Sequence, residues 1–231
     1  MQSRIARRVF DLIYPLFFYY IMYYCLQVLF ASFLIDSFGS LFCLLLAAIC
    51  CIPFQIFFYR RAIVIRNTRW PIGKEWLECI FWIVAIVGIG AGCNVLVSHM
   101  PLQDISQGYD SSTAILRDGS IMIRILTNAI AVPILEEVIY RGIICGQIEA
   151  WGSVGSMAYK KPDKPAMTYV VFAVLCSAIL FGALHFNVVQ FLYAGIMGIF
   201  LGIAYVRTHR LWVVILAHGC TNLLVILMTL S

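Results

Sequence analysis

The stretch LIYPLFFYYIMYYCLQVLFASFLI, residues 12–35, contains no charged side chain and exceeds the ~20 apolar residues that span the hydrocarbon core of a bilayer. Cutting the chain at its polar clusters gives apolar segments at residues 9–35, 41–59, 76–98, 121–148, 168–187, 188–206 and 212–230. Because backbone exposed to lipid must satisfy its own hydrogen bonds, each segment is predicted to be a helix. The sequence therefore predicts an all-α fold, a polytopic transmembrane bundle of about seven helices in one integral membrane domain over residues 1–231.

Composition and charge placement agree with a membrane location. Hydrophobic residues make up 63% of the chain and charged residues 12%, against about a quarter in a typical soluble domain. Cytoplasmic flanks of membrane helices are enriched in Lys and Arg. Most basic residues fall on one set of alternate connections: Arg4, Arg7, Arg8, Arg60, Arg61, Arg66, Arg69, Lys74, Lys160, Lys161, Lys164, Arg207 and Arg210. The opposite connections carry mainly Asp36, Asp104, Asp110 and Asp118.

This distribution predicts a cytoplasmic N-terminus and a C-terminus outside, in what the compact form indicates is a bacterial cell membrane. It also accounts for the formal charge of +5, so membrane lipid is an expected partner and nucleic acid is not. The nine cysteines are odd in number, form no CxxC pair and fall almost entirely within apolar segments. We therefore expect small buried side chains and no disulfide framework.

The fourth segment contains charged residues that are costly in lipid, in the sequence EEVIYR at residues 136–141. On a helix, Glu137 and Arg141 share a face and can form an ion pair, whereas Glu136 is turned about 100° away and is free for another partner. Pro133 lies just before them and can kink the helix and admit water. The competing interpretation is that these charges neutralise one another and serve only to hold helices together.

Two further polar clusters lie in segments five and seven. Segment five ends in FGALH, residues 181–185, and segment seven contains HGCTN, residues 218–222, in which His218 and Asn222 share one helical face. Each histidine alone is more typical of an interfacial residue or an interhelical hydrogen-bond partner. Together the three clusters supply a carboxylate that can act as general base for water, and imidazole and amide donors for an oxyanion.

At these residues the chain resembles the CPBP family, the CAAX-processing endopeptidases and bacteriocin-immunity-type proteins also called Abi. The family pattern EExxxR, FxxxH and HxxxN is matched in order by residues 136–141, 181–185 and 218–222. The resemblance covers residues 121–230, which it implies are the catalytic helices. It implies that Glu136 and His185 activate water, that His218 and Asn222 form the oxyanion hole, and that Glu137 and Arg141 support the site.

The resemblance implies an intramembrane endopeptidase, whose substrate would be a prenylated peptide, a leader peptide or a bacteriocin. The alternatives are a non-catalytic membrane scaffold, regulator or immunity protein of the same fold, and a transporter or proton relay. We expect no cofactor because the HExxH spacing is absent, although Glu136, His185 and His218 can formally bind zinc as a His₂Glu set.

The segment boundaries also raise a conflict of depth. At 1.5 Å per residue, Glu136 and His218 fall toward the cytoplasmic half of the membrane and His185 toward the outer end of its helix. Either helix five begins in the cytoplasm and turns back within the membrane, or the boundaries are wrong.

Overall fold

The computed structural model describes residues 2–99, 114, 118–152, 165–185 and 188–230. This part of the chain is helical and contains no strand, which confirms the predicted all-α bundle. Its seven helices are α1 (Gln2–Phe38), α2 (Ser40–Arg61), α3 (Lys74–Ser98), α4 (121–151), α5 (Met167–Ala183), α6 (Val188–Thr208) and α7 (Leu211–Met228). They agree with the apolar segments to within a few residues, except that α1 begins earlier.

Five helices, α1, α2, α3, α6 and α7, are long and apolar enough to cross a membrane. Their outward faces carry large apolar side chains such as Phe17, Phe33 and Leu77, each more than 60% exposed. In water such surfaces would be unfavourable, whereas in lipid they are the expected exterior. The protein is therefore an integral membrane protein.

Helix α4 is the most buried element and the least regular. Ordinary α-helix at Ile121–Arg124, Val132–Glu137 and Gly146–Trp151 alternates with two wider π-helical segments at Ile125–Ala131 and Val138–Cys145. Pro133, where a kink was predicted, opens the short α-helical piece directly after the first π segment. A proline there cannot donate a backbone hydrogen bond, so local rearrangement of the ladder is tolerated. Glu136 and Glu137 end the piece between the two π segments.

Helices α5 and α6 form a closely packed antiparallel pair. A Cβ at Gly198 would lie 2.9 Å from the Cα of Ala178, and one at Gly202 would lie 3.1 Å from Val174. Gly198 and Gly202 of α6 therefore allow close packing of two helices within the molecule. A Cβ at Gly195 itself would meet open space.

Helix α5 lies beside only one half of α4, and this resolves the conflict of depth. Near its start, Tyr169 packs where a side chain on Gly152 would project. Further along, the hydroxyl of Ser177 donates to the carbonyl of Tyr140 at 3.0 Å. The end of α5, with His185, consequently comes level with the middle of α4, and its placement at the outer end of a full span was wrong. Phe186 and Asn187 lie outside the described residues.

Polar contacts at the two ends of the bundle agree with the prediction that successive connections lie on alternate sides of the membrane. At one end, Arg210 donates to Glu75 at 2.9 Å and His209 contacts Glu149 at 3.0 Å. At the other end, Ser40 donates to Asp118 at 3.1 Å. Lys160, Lys161, Lys164, Asp104 and Asp110, on which the orientation also depends, lie outside the described residues.

All nine cysteines are described, and none forms a disulfide. Cys43, Cys51, Cys79 and Cys145 are buried, as predicted. Cys25, Cys50 and Cys220 are exposed, so the prediction of burial was wrong for them. They lie on apolar helices, and an apolar segment in lipid does not require its small residues to face inward.

Candidate active site

One carboxylate oxygen, Oε1 of Glu137, joins two helices. It accepts a hydrogen bond from Nη1 of Arg141 at 2.7 Å and another from Nδ1 of His218 at 2.9 Å. The Glu137 and Arg141 side chains are completely buried, and the predicted ion pair between them is present. Because His218 donates through Nδ1, its Nε2 atom points away from Glu137 and is the nitrogen left for chemistry.

Glu136 points to a different side of α4, as its position beside Glu137 predicted. Its Oε2 atom lies 3.8 Å from Nε2 of His218, which is beyond the distance of a good hydrogen bond. Its side chain is 18% exposed, whereas that of Glu137 is fully buried. Glu136 is therefore the one of the two carboxylates that a small molecule can reach.

The ring of Phe181 contacts three other side chains of the site. It makes edge contacts with His185 at 5.3 Å and with His218 at 5.8 Å between ring centroids. Arg141 lies over it, with the guanidinium carbon 4.4 Å from the centroid. Glu136 approaches the same residues through its 3.8 Å contact with His218. The structure thus brings Glu136, His185 and His218 into one cluster although they come from three helices.

His185 is oriented by its own helix. Its Nδ1 atom lies 2.8 Å from the carbonyl oxygen of Phe181, so Nδ1 carries the proton and donates it there. Its Nε2 atom is then an acceptor in the neutral ring, as a base for water requires. In both histidines, therefore, Nδ1 donates to a neighbouring protein oxygen, and Nε2 is the ring nitrogen that can take part in the reaction.

The side-chain amide of Asn222 already makes one hydrogen bond within the protein. It lies one turn beyond His218, and its Nδ2 donates to the backbone carbonyl of Asn128 at 2.8 Å. Gly219, on the turn between them, packs so closely that a Cβ would lie 2.5 Å from the carbonyl oxygen of Ala129. Both carbonyls belong to the first π segment of α4. One amide hydrogen of Asn222 thus fixes α7 to α4, and one remains available.

Helix α1 also contributes to the surroundings of the site, which the motifs in the sequence did not predict. The hydroxyl of Tyr20 is hydrogen-bonded to the hydroxyl of Tyr140, and the Tyr140 ring packs on Phe181 with centroids 5.1 Å apart. Tyr140 is one helical turn beyond Glu136 on α4. The signal in the sequence is the tyrosine-rich stretch YYIMYY at residues 19–24, which is unusual for the middle of a membrane span.

An apolar groove of about 320 Å³ opens beside these tyrosines. It is lined by Ile13, Leu16, Phe17, Tyr20 and Leu184. Leu184 directly precedes His185. The groove therefore lies between exposed apolar residues of α1 and the residue that precedes His185.

Glu136, His185 and His218 do not form a zinc-binding geometry. In the described part of the chain, no three His, Cys, Asp or Glu side chains converge closely enough to hold a metal ion. Because Nδ1 of His218 is paired with Glu137, Nε2 is the nitrogen of this ring that would meet a metal ion.

Comparison with known proteins gives two matches. Residues 118–224 match the family model described as Rce1-like, "Type II CAAX prenyl endopeptidase Rce1-like". The chain is also 34% identical over 112 residues to "Putative membrane peptidase YdiL" of Bacillus subtilis (strain 168). That alignment covers 48% of this chain and 39% of the relative, so the chain matches about two fifths of the relative's length. No solved structure matches the chain.

Proposed function

We propose, from the match of residues 118–224 to the Rce1-like family model of type II CAAX prenyl endopeptidases, that this protein is an intramembrane endopeptidase. The observation that carries the proposal is the cluster of Glu136, His185 and His218 around Phe181, with one accessible carboxylate among them. A carboxylate and an imidazole that share a partly enclosed site can activate a water molecule without a serine or cysteine nucleophile.

In the proposed reaction, Glu136 acts as general base. It takes one proton from water, assisted by the acceptor nitrogen Nε2 of His185, while the water oxygen forms a bond to the carbonyl carbon of the substrate. The carbonyl oxygen becomes an oxyanion. When this intermediate collapses, the C–N bond breaks, and the proton held by Glu136 passes to the departing nitrogen. The products are one carboxylic acid and one amine, and Glu136 is regenerated.

The oxyanion would be held by His218 and Asn222. In this scheme His218 donates to the oxyanion through Nε2, and the bond from its Nδ1 to Glu137 fixes the ring. Asn222 would donate its remaining amide hydrogen. Glu137 and Arg141 do not contact the substrate in this scheme, and they fix the orientation of His218.

The family match and the surroundings of the site support a proposal for the substrate class. We propose a peptide presented at the membrane, either prenylated or a leader or bacteriocin precursor. The apolar groove beside Leu184 gives such a substrate a lipid-accessible approach to His185.

The experiment uses the purified full chain in detergent or liposomes with fluorogenic peptides of these classes. Wild type is compared with Glu136→Gln and with the control Glu78→Gln, since Glu78 lies in an exposed ion pair with Arg207. We expect Glu136→Gln to lose about 10²–10⁴-fold in turnover, the range for a general base, and the control to keep full activity. Equal activity of Glu136→Gln and wild type would refute the glutamate mechanism. If wild type binds these peptides without cleaving them, the non-catalytic scaffold replaces the protease.

The proposed chemistry uses no metal. Dialysis against a strong chelator should leave the cleavage rate unchanged. A loss of activity that zinc restores would assign Glu136, His185 and His218 to a metal site instead.

A further inference from the structure

Three tryptophans from three parts of the chain meet at one end of the bundle. Trp70 lies in the connection between α2 and α3, Trp76 is near the start of α3, and Trp212 is in the first turn of α7. Their ring centroids are 5.9 to 6.2 Å apart. Trp70 is 73% exposed and Trp76 is 40% exposed, so this group, called here the tryptophan rim, is not part of the core.

The tryptophan rim has the properties of a membrane interface. Indole rings are enriched where membrane helices meet the lipid headgroups, because the ring is apolar and its N–H group donates a hydrogen bond. The end of the bundle that carries the rim is also the end for which the basic residues predict a cytoplasmic position. The rim therefore belongs at the level of the headgroups of that leaflet.

Basic side chains outnumber acidic ones beside the rim. Both oxygens of the Glu75 carboxylate are used within the protein, since Oε1 accepts from Arg69 at 2.5 Å and Oε2 accepts from Arg210 at 2.9 Å. Lys74, the residue before Glu75, is exposed. Among these four residues, therefore, two positive charges are in excess.

Two of the three cations can be reached by an anion from outside. The Arg69 side chain is 62% exposed, and of its five N–H donors Glu75 takes one. The Arg210 side chain is only 3% exposed, and it also donates to the backbone carbonyl of Arg69, so it fixes the connection in place. Arginine and lysine are the side chains that bind phosphate groups in proteins. Arg69 and Lys74, with Trp70 between them in the sequence, are therefore placed to bind a phosphate at the membrane surface.

We propose that the tryptophan rim, together with Arg69 and Lys74, is a binding site for an anionic phospholipid of the cytoplasmic leaflet. The two basic side chains bind the phosphate of the headgroup, and the exposed indole rings pack on the glycerol backbone and the first acyl carbons. Anionic lipid is preferred over zwitterionic lipid because its headgroup has no cation to oppose the two positive charges in excess. Most of the site lies outside the residues that match the family, and the inference does not depend on the proposed reaction.

The test measures quenching of tryptophan fluorescence in the full chain in nonionic detergent. The protein is titrated with phosphatidylglycerol or with phosphatidylcholine, each brominated on the acyl carbons near the headgroup. Wild type should bind the brominated phosphatidylglycerol about 30-fold more tightly, since each basic residue near the surface contributes roughly fivefold. Equal quenching by the two lipids would indicate unselective annular lipid and would overturn the proposal.

Arg69→Gln/Lys74→Gln should remove this preference. The matched control is Arg60→Gln/Arg61→Gln, which removes two positive charges from exposed residues in the last turn of α2, at the same end of the bundle. The control should keep the preference of wild type. Equal losses in the two double variants would show that general surface charge, and not this site, attracts the lipid.

A second measurement is independent of fluorescence. A ligand that binds only the folded protein raises its unfolding temperature. Phosphatidylglycerol should therefore stabilise wild type and the control more than phosphatidylcholine does, and it should not do so in Arg69→Gln/Lys74→Gln. If that double variant does not fold, Lys74→Gln alone, at an exposed side chain, should weaken binding of phosphatidylglycerol about fivefold. Unchanged binding in Lys74→Gln would overturn the proposal.

Discussion

At the scale of single residues, the Oε1 atom of Glu137 is the point on which the site depends most. It is the shared acceptor for Arg141 and His218, and the side chains of Glu137 and Arg141 are fully buried. Among the described residues, Nε and Nη2 of Arg141 have no hydrogen-bond partner, and the guanidinium lies over Phe181 instead. The positive charge is therefore balanced mainly by Glu137.

Glu137→Ala should strongly destabilise the protein. It leaves the fully buried guanidinium of Arg141 unpaired, which costs about 3–5 kcal/mol. Removing both charges in Glu137→Ala/Arg141→Met should recover much of that loss, because no unpaired charge remains. The measurement is unfolding by heat or denaturing detergent. If the double variant is less stable than Glu137→Ala, the pair is not the source of the cost.

Residue spacing predicted part of this arrangement. The i, i+4 relation of Glu137 and Arg141 indicated their ion pair, and adjacency indicated that Glu136 faces elsewhere. Spacing along one helix cannot predict contacts between distant helices. The hydrogen bond between Tyr20 and Tyr140 and the bond of Asn222 to the carbonyl of Asn128 were therefore not predicted.

At the scale of elements, α4 is held by side chains from its neighbours at both π segments. Asn222 donates to Asn128 in the first segment, and Ser177 donates to Tyr140 in the second. A wider helical turn leaves carbonyl groups displaced from the α-helical pattern, and π segments often occur at functional sites for this reason. Glu136 and Glu137 lie on the short α-helical piece between these two anchored segments.

Gly219→Ala should push α7 away from α4. The added Cβ would lie 2.5 Å from the carbonyl oxygen of Ala129, which is backbone and cannot rotate aside. We expect a lower unfolding temperature and, because His218 is the adjacent residue, at least a tenfold lower cleavage rate, since a displacement of 1 Å can cost about 10²-fold.

Gly195→Ala is the matched control in α6, where a Cβ meets open space. It should be neutral or stabilising by up to about 1 kcal/mol through helix propensity. Equal behaviour of the two variants would show that the close approach of α7 and α4 does not hold the site together.

Hydropathy predicted the number and the limits of the helices because lipid requires long apolar helices. It carries no information on where a helix begins relative to the membrane. The position of α5 beside one half of α4 depends on packing at Gly152 and Ser177, and for that reason the depth of His185 was predicted wrongly.

At the scale of the whole molecule, the charged ends of the bundle define its predicted orientation. Ile72, in the connection between α2 and α3, should face the cytoplasm, and Ser37, at the end of α1, should face outside. Both positions are exposed. A membrane-impermeant maleimide should label Ser37→Cys in intact cells, and Ile72→Cys only after permeabilisation.

The unmodified chain, with its nine native cysteines, gives the background for this labelling. That background should be low, because thiols in lipid ionise poorly and react slowly. The reverse pattern would place the N-terminus outside.

The shortness of α5 has a consequence for the choice of membrane. Its 17 residues extend about 26 Å, less than the ~30 Å thickness of an average hydrocarbon core, and it carries both Phe181 and His185 at or near one end. In a thicker bilayer, the difference between the length of this helix and the thickness of the hydrocarbon core is larger. The helix responds by tilting or by shifting against α4. Because a single ring sets the spacing of both histidines, such movement alters the entire cluster together. Acyl-chain length in reconstituted vesicles therefore acts as a control on turnover that leaves every residue of the protein unchanged.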